Sequence, residues 1–295
     1  MASPHYLSLP VQLPFDWEAL LAFLRARATP DVEKVTDTAY ERTIESLGRP
    51  KTLRVTYDRA GARLRLEISS RVNTVQLDEL RMRVQQIFKA EIETGPIERF
   101  LSRSSTFAAI VGNQPGLRVP GGWCAFEIAA RAVLGQQISV PAATTLMGRL
   151  VRLAGTELSE YAWLFPSAEQ VLRADLSRLG VPGQRRETLK GLAAYFAEQG
   201  DSCVAQPDAR DKLLALKGIG KWTAGYILMR TSPDHDHWPE GDLVLRKALS
   251  HGKAQINAAG LERIFRQWSP YRGYATIHLW RGYGNSKNSN ANRDK

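Results

Sequence analysis

Hydrophobic periodicity changes character near residue 95, and that change restricts the folds open to this chain. Before it, two runs alternate apolar and polar residues, "TLRVTYD" (52–58) and "ARLRLEIS" (62–69). A period of two belongs to a strand with one buried face. The "DRAG" between them is a turn signal, so the pair predicts a β-hairpin. Helical patterns flank it. "FDWEALLAFLRARA" (15–28) puts Phe15, Leu20, Phe23, Leu24 and Ala28 at helical spacing with Asp16 as N-cap, and "QLDELRMRVQQIFKA" (76–90) is amphipathic. Residues 1–95 therefore predict an α+β domain in which an antiparallel sheet packs against helices.

Strand patterns give way after residue 95. Helical periodicity runs through 96–111, 124–139, 141–154, 183–198, 260–268 and 271–284, and Pro115, Pro120, Pro166, Pro182, Pro207 and Pro270 fall between these segments. Residues 96–284 predict a mostly α-helical domain. "NSKNSNANRDK" (285–295) is too poor in apolar residues to pack and is expected to be disordered. Two ordinary domains suit 295 residues.

The sharpest local feature is "ALKGIGKWTAGYILMR" (215–230). Its glycines, Gly218 and Gly220, are too close for a P-loop, which needs four residues between them. A dinucleotide fingerprint needs a third glycine at 223, which is Thr, and a preceding strand. The preceding "DARDKLLALK" (208–217) is helical instead. The pattern is helix, Gly-Ile-Gly, helix. Main-chain amides of Gly218, Gly220 and Lys221 would point out of a helix N-terminus, an anion site that grips phosphate without reading a base. Ile219 would pin the turn to the core. An ordinary helix–helix corner with closely packed glycines fits the same pattern. The formal net charge of +10 and a pI of about 9.7 favour a polyanionic partner, most simply nucleic acid.

"LKGIGKWTAGYI" resembles the helix-hairpin-helix of the DNA glycosylase superfamily. That superfamily carries an aspartate some twenty residues downstream, and Asp242 in "WPEGDLVLRKAL" lies 22 residues after Gly220. The resemblance extends to one branch, the DNA-3-methyladenine glycosylases II of AlkA type. "LPFDWEALLAFLRARA" (13–28), "AFEIAARAVLGQQISVPAA" (125–143) and "RGYATIHLWRGYG" (272–284) match its N-terminal start, its wedge loop and its C-terminal helix in order.

The resemblance implies a monofunctional hydrolase that extrudes alkylated bases, chiefly 3-methyladenine, from double-stranded DNA and leaves an abasic site. Asp242 would be catalytic, its carboxylate stabilising positive charge on the sugar or activating water. It also reads as the N-cap of "LVLRKALS". Trp222, Tyr226 and Trp280 would form the base pocket, where a cationic base stacks on electron-rich rings. Each also suits ordinary core packing. The aromatic that follows the family's aspartate is here Leu243. Gln136 and Gln137 would form the wedge, with Gln137 where the family has an apolar residue. Gly218, Ile219, Gly220, Lys221 and Thr223 would make the phosphate-binding hairpin. Lys221, Arg246, Lys247, Arg272 and Arg281 flank these elements as candidate electrostatic contacts.

Bifunctional relatives have their Schiff-base lysine where this chain has Trp222. Lys221 is one residue too early, ~100° round a helix. The resemblance also implies a monovalent cation on the carbonyls of Leu214, Leu216 and Ile219. No other cofactor is expected. Cys124 and Cys203 are too few for a four-cysteine iron–sulfur cluster. His235 and His237 in "PDHDHWPEGD" read as a solvated loop rather than a metal site. No stretch has the apolar length of a membrane span, and the N-terminus lacks a signal-peptide pattern, so a cytoplasmic monomer is expected. A non-catalytic helix-hairpin-helix DNA-binding protein and a glycosylase for oxidised or mismatched bases are the rival readings.

Overall fold

In a computed structural model the described residues are 4–46, 49–69, 72–250 and 256–291. Five strands form one antiparallel sheet: β1 (His5–Pro10), β2 (Glu33–Val35), β3 (Ala39–Ser46), β4 (Arg49–Asp58) and β5 (Arg63–Ile68), in the order β1-β5-β4-β3-β2. The hairpin read from the sequence is its centre. Along β5, Leu64, Leu66 and Ile68 are buried while Arg63 and Arg65 are exposed, the alternation of a sheet with one wet face. The buried face packs on α1 (Trp17–Arg25) and α2 (Thr74–Phe88) through Trp17, Leu20, Leu21, Val84, Ile87 and Phe88. Asp16 caps α1 by accepting from the Ala19 amide at 2.9 Å. Asn73 and Gln76 form a capping box on α2.

The other three strands are absent from the sequence reading. In β3 the inward positions are Tyr40, Arg42 and Ile44, so a buried arginine interrupts the apolar period. Strands β1 and β2 are short and mixed in polarity.

The helical part comprises α3 (Thr94–Leu101), α4 (Ser105–Gly112), α5 (Ala125–Leu134), α6 (Val140–Ala154), α7 (Ala168–Arg173), α8 (Gly183–Gln199), α9 (Ala209–Ala215), α10 (Lys221–Thr231), α11 (Leu243–Ser250), α12 (Ala258–Arg266) and α13 (Arg272–Ala291). Three sequence expectations are corrected. Residues 96–111 form two helices, because Ser104 starts a new one in extended conformation. A small hairpin, β6 (Thr156–Ser159) and β7 (Ala162–Leu164), lies within the helical part. The last helix continues to Ala291 rather than ending at 284; extending an existing helix is far less costly than starting one. The rest of the expected tail, 292–295, lies outside the described residues.

Buried charge ties the sheet to the helices. Arg42 on β3 pairs with Glu127 on α5 (Nη2–Oε2 2.7 Å, Nη1–Oε1 3.3 Å) and with Glu33 on β2 at 3.2 Å. Tyr40 donates to Glu33 at 2.7 Å. Arg118, fully buried, donates to the carbonyls of Gln12, Pro14, Lys89, Ile92 and Gly116 and so knots three separate segments.

Candidate active site

The turn between α9 and α10 follows from its glycines. Gly218 has φ +86°, and a Cβ there would stand 2.1 Å from the Thr188 hydroxyl of α8. Ile219 is buried and pins the turn to the core. A Cβ on Gly220 would meet nothing within 4 Å. Lys221 is exposed beside it, and no side chain caps α10. The turn thus offers bare amides and one lysine to the outside. Thr223 departs from the expected role. Its side chain is buried beneath the turn and its hydroxyl accepts from Gln136, so only its main-chain amide, in the first turn of α10, can face a phosphate.

Helix α10 brings Trp222 and Tyr226 to one face, one turn apart. Their rings stack at 5.3 Å with 12° between planes, and Trp280 of α13 stands 6.3 Å from Tyr226. The loop carrying Asp242 is pressed against α10 where Gly225 leaves room; a Cβ at Gly225 would stand 1.9 Å from the Trp238 carbonyl. Trp238 anchors that loop by stacking on Phe265 at 4.0 Å.

Asp242 lies almost buried at the meeting of these elements. Its Oδ2 accepts from Trp222 Nε1 at 2.8 Å, and its Oδ1 from Trp280 Nε1 at 3.1 Å and from the Leu245 amide at 2.9 Å. Asp242 thus caps α11 through the Leu245 amide while the same carboxylate is held by the two indoles. Two indoles from distant elements orient one carboxylate.

The carboxylate and the three rings line a cleft of about 840 Å³. Its lining also includes Phe23 of α1, Arg27 just beyond the end of α1, and Arg131 of α5, with Ile138, Val140 and Val244. Leu243, which follows the aspartate, does not line it and is exposed; Val244 supplies that part of the wall.

Gln136 and Gln137 point different ways. Gln136 Nε2 donates to the Gly218 carbonyl and to Thr223 Oγ1, each at 3.0 Å, and its own carbonyl accepts from Arg185 of α8 at 3.0 Å. Gln136 is thus a brace to the hairpin and does not project as a wedge. Gln137 is exposed, at φ 58°, between the cleft-lining Gly135 and Ile138.

Three arginines had no signal in the sequence: Arg27 and Arg131, which line the cleft, and the buried Arg230, which is bonded to Tyr226. Each reads in isolation as a solvated charge; only the fold brings α1, α5 and α10 together. Arg230 Nη1 donates to the Tyr226 hydroxyl at 3.0 Å. Burial opposes ionisation of Tyr226, but Arg230, Arg27 and Arg131 outweigh it and bring the phenol down to about 8.

Two further expectations change. Arg272 and Arg281 are ion-paired with Asp236 and Asp16, at 2.6 and 2.8 Å, rather than standing as unpaired charges. His235 and His237 are half-buried, not solvated; His235 packs edge-on against Tyr274. Among the described residues no cluster of metal-ligating side chains occurs and no helix is long and apolar enough to cross a membrane.

Comparison with known proteins agrees with this geometry. Residues 6–124 match the AlkA N-terminal domain family. The chain is 30% identical to DNA-3-methyladenine glycosylase 2 of Escherichia coli, over 91% of this chain and 94% of that protein. The chain belongs to the AlkA-type DNA-3-methyladenine glycosylase family. It is also 34% identical over 93% of its length to a Mycobacterium tuberculosis protein named "Probable bifunctional transcriptional activator/DNA repair enzyme AlkA", of which it spans only 56%. The 3-methyladenine DNA-glycosylase of Archaeoglobus fulgidus shares the fold, with a TM-score of 0.80 at 20% identity over 93% of this chain and 97% of that one. An 8-oxoguanine glycosylase/lyase of Clostridium acetobutylicum in complex with double-stranded DNA has a TM-score of 0.71 at 15% identity, over 93% of each chain. The architecture of an antiparallel sheet followed by helix-hairpin-helix helices is thus shared over 93% of this chain.

Proposed function

We propose that this chain hydrolyses the N-glycosidic bond of alkylated bases, 3-methyladenine and related alkylpurines, in duplex DNA, leaving an abasic site. It acts as a monomer. The observation that carries the reading is Asp242, held by the indoles of Trp222 and Trp280 at an aromatic cleft.

Breaking the bond leaves positive charge on the sugar. A pre-oriented, nearly buried carboxylate stabilises that charge more than water can. The base is extruded because the bond is inaccessible inside the stack. A base with a formal positive charge gains about 0.5–2 kcal/mol from each aromatic face it meets. Such a base already departs readily, so one carboxylate suffices. Trp222 occupies the place of a lyase lysine and donates to Asp242, while Lys221 is exposed; among the described residues no lysine lines the cleft to form a Schiff base, so the strand would stay uncut. The hairpin would hold the phosphate on its open amides, and Gln137 would fill the vacated stack. The carbonyls of Leu214, Leu216 and Ile219 would hold a monovalent cation. The Leu216 oxygen accepts from the Ile219 amide at 3.0 Å and keeps a second lone pair.

The test is release of free base from methylated duplex DNA. Wild-type protein is expected to release it. Asp242→Asn should lose about 10²–10³-fold in rate while still binding DNA. Equal rates would remove Asp242 from the mechanism; tight binding without release would favour a binding protein. A borohydride-trapped protein–DNA adduct would refute the uncut strand.

A further inference from the structure

We propose that the hydroxyl of Tyr226 sets the charge of the base pocket, so that its ionised form receives cationic bases and its protonated form neutral ones. The proposal rests on the base-excision reading and adds a specificity-determining residue to it.

The aromatic rings alone favour a cation, but the wall behind them does not. Three guanidiniums converge on one phenol, and their bonded partners are neutral. Arg230 donates to the Pro120 and Gly121 carbonyls, at 2.8 and 2.6 Å, and to the Tyr226 hydroxyl at 3.0 Å. Arg131 donates to the hydroxyls of Thr29 and Thr144, at 3.1 and 3.3 Å. Arg27 donates to the Phe23 carbonyl at 3.2 Å and lies 3.7 Å over the Phe23 ring. Buried cations normally meet a carboxylate.

The carboxylates of the region are engaged elsewhere. Glu33 and Glu127 stand behind Arg131 but are bonded to Arg42. Asp242, across the cleft, is bonded to the two indoles and the Leu245 amide. At the rim, Glu18 pairs with Arg59, and Arg281 of α13 with Asp16. Among the described residues the Tyr226 hydroxyl is the acidic group at this wall that one of these arginines bonds directly; a second phenol, Tyr283 of α13, also lines the cleft.

A fixed cation entering the cleft is repelled by three like charges. Loss of the phenol proton to solvent removes one unit of that excess, and no bond to the base is made. A neutral base with a carbonyl or ring-nitrogen acceptor gains instead from the guanidiniums and the intact hydroxyl as donors. The phenol, brought down to about 8, titrates where both forms are accessible.

The experiment compares single-turnover release of 3-methyladenine, a cation in DNA, with release of a neutral O-alkylated pyrimidine from otherwise identical duplexes, from about pH 6.5 to 9. Taking the ratio of the two rates cancels titrations shared by both substrates. In the wild type the cationic-to-neutral ratio should rise at least about tenfold with a midpoint near 8, since one pH unit below a pKa changes the ionised fraction about tenfold. In Tyr226→Phe the ratio should be flat. Arg131→Met keeps the phenol and removes one cation, so its midpoint should move towards the ordinary tyrosine value of about 10. Phenolate absorbance of the wild type against Tyr226→Phe reads the same midpoint without substrate. Release of both bases with a flat wild-type ratio, or a rise that survives in Tyr226→Phe, overturns this proposal alone. Release of neither base overturns the excision reading and this proposal with it.

Discussion

Gly218 and Gly220 are two positions apart, yet their constraints differ. Gly218 sits in left-handed backbone with Thr188 against the place of a Cβ. Gly218→Ala should therefore cost on the order of 2–4 kcal/mol, from backbone strain and overpacking together. Gly220 has open space and ordinary backbone, so Gly220→Ala should leave stability within about 0.5 kcal/mol. Its methyl would, however, stand between the exposed amides and a DNA phosphate. DNA affinity in Gly220→Ala should fall about tenfold or more, by fluorescence anisotropy alongside thermal denaturation. Undiminished binding would mean that the turn is only a packing corner. The same contrast explains what the sequence could reveal. Gly-Ile-Gly, Trp222 and Asp242 were legible because their spacing along the chain carries the pattern. Arg27, Arg131 and Arg230 were not, because their role depends on three helices meeting.

At the scale of elements, the loop after α5 and the turn before α10 form one unit. Gln136 joins them by two donated bonds, and Arg185 of α8 holds the same loop from behind. The proposed wedge position and the proposed phosphate grip are thus kept at a fixed separation, as the proposed reaction would need if both are to engage one nucleotide step. Gln136→Ala should reduce excision and DNA affinity about tenfold while shifting Tm by only a few degrees, as for a loss near 1 kcal/mol. Gln136→Glu is the sharper variant. A carboxylate cannot donate to the Gly218 carbonyl and would meet it with like charge, so Glu should be worse than Ala. Wild-type behaviour of Gln136→Glu would exclude the brace. Sequence reasoning placed both glutamines in the wedge because a loop pattern shows position, not which way a side chain turns. For the same reason the helices and the β4–β5 hairpin were readable from periodicity. Strand β3 was hidden by Arg42 at an inward position, and the β6–β7 hairpin by its short length.

For the whole molecule, Arg42 links the sheet to the site. It holds Glu127, which lies one helical turn before the cleft residue Arg131, and Glu33, which the sheet presents from the other side. One guanidinium thus serves two buried carboxylates. Burial raises both, but Arg42 and the donors around Glu33 hold that carboxyl low; Glu127 remains raised. The two signs oppose. Glu33 contributes stability above its unfolded value, lost as pH falls through its depressed folded value. Glu127 contributes below its unfolded value, and that is lost as pH rises through its raised folded value. Removing Arg42 gives both groups the second behaviour, because burial is then unopposed. Arg42→Met should therefore be destabilised by about 3–5 kcal/mol near pH 8, the cost of uncompensated buried charge, and by clearly less near pH 5, where the carboxylates can be neutral. Urea denaturation at the two pH values checks this, and equal losses at both would contradict it. Adding Glu33→Gln and Glu127→Gln to Arg42→Met should restore most of the loss and remove its pH dependence. The penalty would then lie in stranded charge rather than in the sheet–helix contact itself.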